Sequence, residues 1–243
     1  MGKHSFEIIY DSLTNKGERK VNEDSLGVVI TNDTRAFLVC DGLGGHGHGD
    51  EASSFVVENM KQCLQKHMSV EDSIMYSQRA LLQKQEEEGK EASMKTTLTC
   101  LTLKDGSAQF AHVGDSRIYL FEKGKYRQRT QDHSVPQMLV SSGAIKEKDI
   151  RHHEDRSRLL RVMGTEWSEP KYQIVSGITL TGKSSFLLCS DGFWELIEEK
   201  EMSALLKKSA TPGEWLRRME EIILANGKGT NMDNYTAIAV FVR

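Results

Sequence analysis

Residues 37–50 read FLVCDGLGGHGHGD, an apolar run that stops at an Asp-Gly step and continues as a loop rich in glycine and histidine. An apolar run that ends in aspartate predicts a buried strand that delivers a carboxylate, here Asp41, to the rim of a sheet. The loop glycines carry no Cβ, so the backbone can approach a ligand or a metal ion closely. On these residues alone, a site loop and a flexible turn before a helix are equally good interpretations.

The segments around this stretch alternate between helical and strand patterns. From Asp50 onward, apolar residues recur at helical spacing, which predicts a helix that packs one face on a sheet, and a second helix is expected at about 70–88. Short strands are expected at 5–10 and 26–30. From Thr96 the pattern changes to a run of four strands.

Length and charge limit the class of protein. The chain has 243 residues, and nothing Pro-rich or of low complexity divides it, so we expect a single domain over 1–243. The 32 Lys and Arg and the 35 Asp and Glu give a formal charge of −3, which argues against nucleic acid or an anionic membrane as partner. We find no apolar run long enough to span a bilayer and no signal-peptide segment at the start, and therefore expect a soluble cytoplasmic protein. No exposed apolar stretch demands a partner, so we expect a monomer.

Acidic residues recur at the mouths of the apolar strands. They are Glu23 and Asp24, Asp41, Asp191 and Asp233, with Asp115, in a turn between two strands, as a further candidate. If these strands share one sandwich, the acids can converge on one rim, and two carboxylates 4 Å apart repel by about 4 kcal/mol at an effective dielectric of about 20. Such a cluster needs cations, and oxygen-only ligands favour magnesium, manganese or calcium. The alternative is that each acid merely ends a strand. It explains each position singly but does not explain all of them equally well.

At this point the sequence resembles a known family, the metal-dependent serine/threonine protein phosphatases of the 2C type, in their short bacterial form. The resemblance covers nearly the whole chain and rests on ordered motifs: RKVNEDS, VCDGLGGHGHGDEAS, TT at 96–97, HVGDSRIYLF, TQDHS, HEDRSRLLRVMG, LLCSDGFWELI and DNYTAIAV. It implies an α+β fold, a four-layer α-β-β-α sandwich of two antiparallel sheets flanked by helix pairs. It also implies a mobile flap at about 132–165.

The resemblance assigns roles to the acids. Asp41 would bridge two manganese or magnesium ions, and the Gly42 carbonyl would bind one of them. Asp191 and Asp233 would complete the protein ligands. Three further residues would assist: Glu23 through a water, Asp24 as support behind the ligands, and Asp115 at a third, weaker metal site.

Other positions concern the substrate and the leaving group. Arg19 matches the arginine that grips the substrate phosphate, a task that suits its fork of donors. Leu43 stands where eukaryotic members have a histidine as proposed general acid, so that role is unassigned: a metal-bound water is our first candidate and His46 our second. Lys95 replaces a glycine that usually precedes the paired threonines.

The implied activity is hydrolysis of phosphoserine and phosphothreonine by a metal-bridging hydroxide at a binuclear centre. The implied partners are a bacterial serine/threonine kinase and its phosphorylated substrates. A non-catalytic phosphoprotein-binding module of the same fold is the main alternative, but its signature, a lost ligand, is absent. A nucleotide-binding loop lacks GxGxxG and GK[ST] here, and a zinc site at His46 and His48 is a further alternative.

Overall fold

A computed structural model describes residues 6–44 and 47–243. The described strands are β1 Ile8–Asn15, β2 Asp24–Ile30, β3 Thr34–Asp41, β4 Leu98–Lys104, β5 Ser107–Val113, β6 Arg117–Glu122, β7 Lys125–Arg129, β8 Gln173–Thr179, β9 Ser184–Cys189 and β10 Tyr235–Val242. The described α-helices are α1 Gly49–Gln65, α2 Val70–Glu88, α3 Val135–Ser141, α4 Asp191–Trp194, α5 Glu199–Leu206 and α6 Pro212–Gly227, and a 3-10 helix spans Glu147–His152. None of these helices is both long enough and apolar enough to cross a membrane.

The strands form two five-stranded sheets in which every neighbouring pair is antiparallel. The first sheet has the order β1-β10-β9-β6-β7, and the second has the order β2-β3-β4-β5-β8. The Lys123-Gly124 turn between β6 and β7 has positive φ at both residues, 51° and 71°, which suits a tight hairpin turn.

Three apolar clusters hold four layers together. Phe37 and Val39 of β3 face the other sheet and pack in a cluster with residues of β9 and β10. Leu38 and Cys40 point the opposite way, into a cluster with α1 and α2. Because side chains alternate along a strand, an uninterrupted apolar run is buried on both faces. A third cluster joins the first sheet to α5 and α6, so the predicted α-β-β-α sandwich with helices on both outer faces is confirmed.

The strand predictions fail mainly at the sheet edges. Expected at 5–10, β1 runs instead from Ile8 to Asn15, and β8 was not predicted at all. Both are edge strands whose side chains are mostly exposed or half-buried. An edge strand buries too few side chains to require an apolar pattern. Its polar residues therefore give no strand signal in the sequence.

Candidate active site

Asp41 is the last residue of β3, and hydrogen bonds to its backbone fix its position. It lies opposite Asp24 in the β2–β3 register. The Asp41 amide donates to Thr97 Oγ1 at 2.9 Å, and the Asp41 carbonyl accepts from Thr96 Oγ1 at 2.9 Å and from the Thr97 amide at 2.8 Å. The paired threonines therefore fix the backbone that presents this carboxylate, through hydrogen bonds to its amide and its carbonyl.

The residue after Asp41 must be a glycine because three backbone segments meet there. The Gly42 amide donates to the Glu23 carbonyl at 3.1 Å, which also accepts from Ser53 Oγ at 2.6 Å. A Cβ on Gly42 would lie 2.1 Å from the carbonyl oxygen of Gly49, closer than real atoms approach. The glycine thus lets the start of α1 pack against the end of β3, beside Glu23.

Two further acids come from the first sheet and the turn before it. Asp191 begins the short helix α4 directly after β9, and Asp115 lies in the turn between β5 and β6. Gly114 adopts φ +98° in that turn, a conformation that L-residues rarely adopt. The Asp115 carbonyl accepts from the indole Nε1 of Trp194 at 3.0 Å, which ties the turn to α4.

Asp233 precedes β10, and its neighbour Asn234 joins three segments. The side-chain oxygen of Asn234 accepts from the Glu23 amide at 2.8 Å, and its Nδ2 donates to the carbonyls of Lys16 and Val21, both at 2.9 Å. Asn234 therefore positions the segment that carries Glu23 relative to Asp233. Residue-by-residue reasoning missed this role, and the only signal was its place beside an acid in DNYTAIAV.

Ser190 is a second residue whose role was missed. Its hydroxyl donates to Asp24 Oδ2 at 2.7 Å and accepts from the Thr236 amide at 3.0 Å. Asp24 belongs to β2 of one sheet, whereas Thr236 belongs to β10 of the other sheet and Ser190 directly follows β9 of that sheet. This contact therefore holds the two rims together where the acids meet.

The carboxyl groups perturb one another strongly. Burial, and next the charge of Asp191, raise the pKa of Asp41 well above its usual range. Burial raises the pKa of Asp191, with Asp233 as the next cause, and burial followed by Asp191 does the same for Asp115. Burial raises the pKa of Asp24 to about 7. Acids that resist ionisation together in this way are stabilised by a bound cation.

Two observations test whether these residues fit the divalent ions that the fold family implies. Asp24 Oδ1 is buried and makes no hydrogen bond to any described residue. The donor set consists of oxygens alone, which suits hard cations. Nevertheless, within 6–44 and 47–243 no three His, Cys, Asp or Glu side chains are grouped at metal-ligand spacing. Asp233 is engaged by Arg19 instead, with Arg19 Nη2 and Asp233 Oδ2 3.0 Å apart. The donors therefore fit the ions in kind, with Asp41 and Asp191 close enough for a hydrogen bond between their carboxyl groups and Asp233 paired with Arg19.

The acids lie in an open cleft of about 980 Å³. Its lining combines acids, bases and apolar side chains: Arg19, Lys20, Val21, Glu23, Asp41, Gly42, Leu43, Gly44, Lys95, Asp115, Ser157, Arg158, Leu159, Leu160, Arg161, Val162, Thr165, Asp191 and Asp233. Residues 157–162 and Thr165 belong to the segment predicted as a flap. The cleft therefore brings the predicted site acids, apart from Asp24, together with Arg19.

The remaining predicted residues have varied positions. His46 lies outside the described residues. His48, at the start of α1, places its Nδ1 2.8 Å from Glu51 Oε1. In the predicted flap, Arg156 donates to Glu195 at 3.2 Å, and Asp132 forms a buried ion pair with Arg117 at 2.6 Å.

Comparison with known proteins gives a consistent result. The family model described as protein phosphatase 2C matches residues 15–222. The serine/threonine phosphatase stp of Listeria monocytogenes is 30% identical over an alignment of 239 residues that covers 93% of this chain and 93% of that one. The crystal structure of the serine/threonine phosphatase Stp1 from Staphylococcus aureus has a TM-score of 0.85 at 27% identity and covers 100% of this chain and 99% of that one. The catalytic domain of the phosphatase PstP in complex with two manganese ions has a TM-score of 0.80 at 26% identity, covering 98% of this chain and 99% of that one.

Proposed function

Because the chain belongs to the protein phosphatase 2C family and is a serine/threonine phosphatase of that type, we propose that it hydrolyses phosphoserine and phosphothreonine esters at a pair of manganese or magnesium ions. Three parts of the chain that are distant in sequence, the open end of the β2–β3 hairpin, the start of α4 and the residues before β10, bring Glu23, Asp41, Asp191 and Asp233 to one cleft. This convergence is the single observation that carries the proposal. The manganese complex of the PstP catalytic domain supports the choice of metal.

The proposed ligands are Asp41, the Gly42 carbonyl, Asp191 and Asp233. Glu23 would contribute through a water, and Asp115 would serve a third, weaker site. When bound, two divalent ions would supply water activation and neutralise charge on the phosphoryl oxygens. The hydrogen bonds of Asp41 to the paired threonines keep its carboxylate in place.

Other residues would bind the substrate and hold the site together. Arg19 lies at the cleft wall and presents a planar fork of donors, which suits two oxygens of a phosphate group. Asp24 accepts from Ser190, so it would hold the two rims rather than act on the substrate. Leu43 offers no proton. We therefore assign to a water in the cleft the role of protonating the leaving alkoxide, with His46 as second candidate.

The decisive experiment is release of phosphate from a phosphothreonine peptide with added manganese. We expect turnover that a chelator and Asp191→Ala both abolish. Glu91→Ala, an exposed acid outside the cleft, is the matched control and should keep full activity. Turnover that survives chelation or Asp191→Ala would refute the mechanism. A phosphotyrosine peptide tests the substrate class, and preference for it would contradict the proposal.

We also propose that the physiological substrates are a bacterial serine/threonine kinase and the proteins it phosphorylates, and that the enzyme acts as a cytoplasmic monomer. Dephosphorylation assays with kinases encoded near its gene would test the first statement, and sedimentation would test the oligomeric state. The alternative, a non-catalytic phosphoprotein-binding module, predicts binding of the same peptides without phosphate release.

A further inference from the structure

Basic residues, called the rim below, line the cleft together with the acids, although the chain as a whole carries a net charge of −3. Five basic residues line it: Arg19, Lys20, Lys95, Arg158 and Arg161. The acids that line the same cleft are the predicted metal ligands Glu23, Asp41, Asp115, Asp191 and Asp233. Bound divalent ions would neutralise those acids, so a peptide that enters the cleft would meet positive charge at its edge.

Most of these basic groups are available for a ligand. Arg19 is bound to Asp233, and Arg158 approaches Asp155 only to 4.0 Å. Over the described ranges, 6–44 and 47–243, Lys20, Lys95 and Arg161 have no carboxylate within 4.0 Å. The seven other residues of the chain, MGKHS and GH, contain no acidic side chain that can pair with them.

Lys95 is the most firmly placed of the three. Its carbonyl accepts from the Leu43 amide at 2.9 Å, which joins it to the loop after Asp41. The next residue, Thr96, forms bridges to both Gly42 and Met163. Lys95 is half-buried and lines the cleft. Its backbone is therefore fixed between the carboxylate loop and the far wall, and a charge on a fixed backbone binds a counter-ion at a smaller entropic cost than a free surface lysine.

Apolar side chains stand beside the basic ones. Val21 follows Lys20, and Leu160 precedes Arg161, and each of these apolar side chains is 52% exposed on the cleft. The rim thus pairs a cation with an exposed apolar group on both walls. This pattern is suited to an extended peptide with acidic and apolar side chains next to the phosphorylated residue.

Resting on the function proposed above, we propose that this rim, through Lys20 and Lys95, selects phosphopeptides with acidic residues next to the phosphothreonine. An exposed ion pair contributes about 0.2–1 kcal/mol, which corresponds to roughly 1.4- to 5-fold in affinity. Two or three such pairs give a preference of roughly tenfold for an acidic peptide over a neutral one.

The test compares three phosphothreonine peptides of the same length, flanked by Glu, Ala or Lys, on the manganese-loaded enzyme. We expect kcat/KM to fall in the order Glu, Ala, Lys, with the difference mainly in KM. The preference should shrink between 50 and 300 mM salt, as charge screening requires.

Charge reversal separates recognition from loss of folding. The double variant Lys20→Glu, Lys95→Glu should favour the Lys-flanked peptide, an inversion that a misfolded enzyme cannot produce. Lys66→Glu, an exposed lysine of the α1 C-terminus outside the cleft, should keep the wild-type order. Equal kcat/KM for the three peptides, or an unchanged order in the double variant, would overturn the inference and leave the proposed function intact. If the wild type turns over none of the peptides, the proposed function itself fails.

Discussion

Arg19 donates a hydrogen bond to Asp233 across 3.0 Å, although 214 residues separate them in sequence. Both side chains are about half exposed. The proposed function needs both groups for other tasks, Asp233 as a metal ligand and Arg19 as a phosphate ligand. Under the proposed function, a metal ion and Arg19 therefore compete for the Asp233 carboxylate.

Arg19→Ala should separate these two tasks. Loss of a charge-assisted hydrogen bond to phosphate should lower kcat/KM roughly 10- to 100-fold. Removal of a positive charge beside Asp233 should tighten manganese binding roughly two- to fivefold, because an exposed pair contributes up to about 1 kcal/mol. Manganese titrations of activity and of direct binding measure both. If both quantities stay within twofold of wild type, Arg19 has neither role.

Repulsion within the acid cluster should lower the unfolding free energy of the metal-free protein. Asp191→Asn removes one of the mutually repelling carboxylates and should raise the metal-free unfolding free energy by about 1–2 kcal/mol. In the wild type, manganese should raise the melting temperature, since a ligand that binds only the folded state stabilises it. Asp191→Asn should lose most of that shift. Melting curves with manganese and with chelator measure both effects, and a wild type that is indifferent to manganese would contradict the prediction.

The Arg117 side chain packs beneath the site and should stabilise the fold there. It is 1% exposed, pairs with Asp132 at 2.6 and 2.8 Å, and lies over the Trp194 ring at 3.3 Å. Arg117→Met would leave Asp132 buried with a weaker set of partners and should cost about 3–5 kcal/mol of unfolding free energy. Arg117→Lys keeps the charge without the fork and should cost less.

Urea unfolding measures these changes, and the chain offers a matched control. Arg217 and Glu221 form a pair at 2.7 Å with both side chains more than 60% exposed. Arg217→Met should cost less than about 1 kcal/mol. Similar losses for Arg117→Met and Arg217→Met would show that burial of the Arg117 pair has no energetic consequence.

His133 should make the fold sensitive to acid. Its Nδ1 accepts from the Gly114 amide at 3.2 Å, and its ring stacks on His112 with centroids 4.4 Å apart. Burial, and next the charge of His112, lower the pKa of His133 to about 3. The unfolded chain binds a proton near pH 6.5, so stability from this group is complete above that pH and is lost as pH falls from about 6.5 toward 3.

The variant His133→Gln isolates this effect, because the raised pKa values of the site acids act in the opposite direction in both proteins. Between pH 6 and pH 4, the wild type should lose about 1 kcal/mol more per pH unit than the variant. Urea unfolding at a series of pH values measures the difference. Parallel curves would mean that His133 titrates normally in the folded protein.

The sequence predicts the acids of the site better than it predicts their neighbours. Asp41 and Asp191 are recognisable because each ends an apolar strand at an Asp-Gly step, and such strands are buried on both faces. The role of Ser190 is not recognisable, because its contact with Asp24 joins two sheets across 166 residues. Local patterns do not report which strands are neighbours, and the pairing of the sheets was predicted through the resemblance alone.

The edge strands were hidden for a related reason. β1 and β8 bury few side chains, so their polar residues resemble those of loops. The pairing of Arg19 with Asp233 was likewise not predicted, since the resemblance gives Arg19 the substrate phosphate and Asp233 a metal ion as ligand. An exposed charged group can pair with different partners, depending on what else is bound. A pattern of residue types does not predict which partner it pairs with.

The position of β10 has a consequence for biosynthesis. β10 lies between β1 and β9, and Ile8 pairs with Val242. A ribosome therefore delivers Asp41 and the helices behind it long before the strand that completes the opposite sheet. While β10 is still in the exit tunnel, β1 has no partner and Asp233 has no fixed position, so we expect the nascent chain to be catalytically silent. Activity would then begin only once β10 has left the tunnel and has paired with β1 and β9.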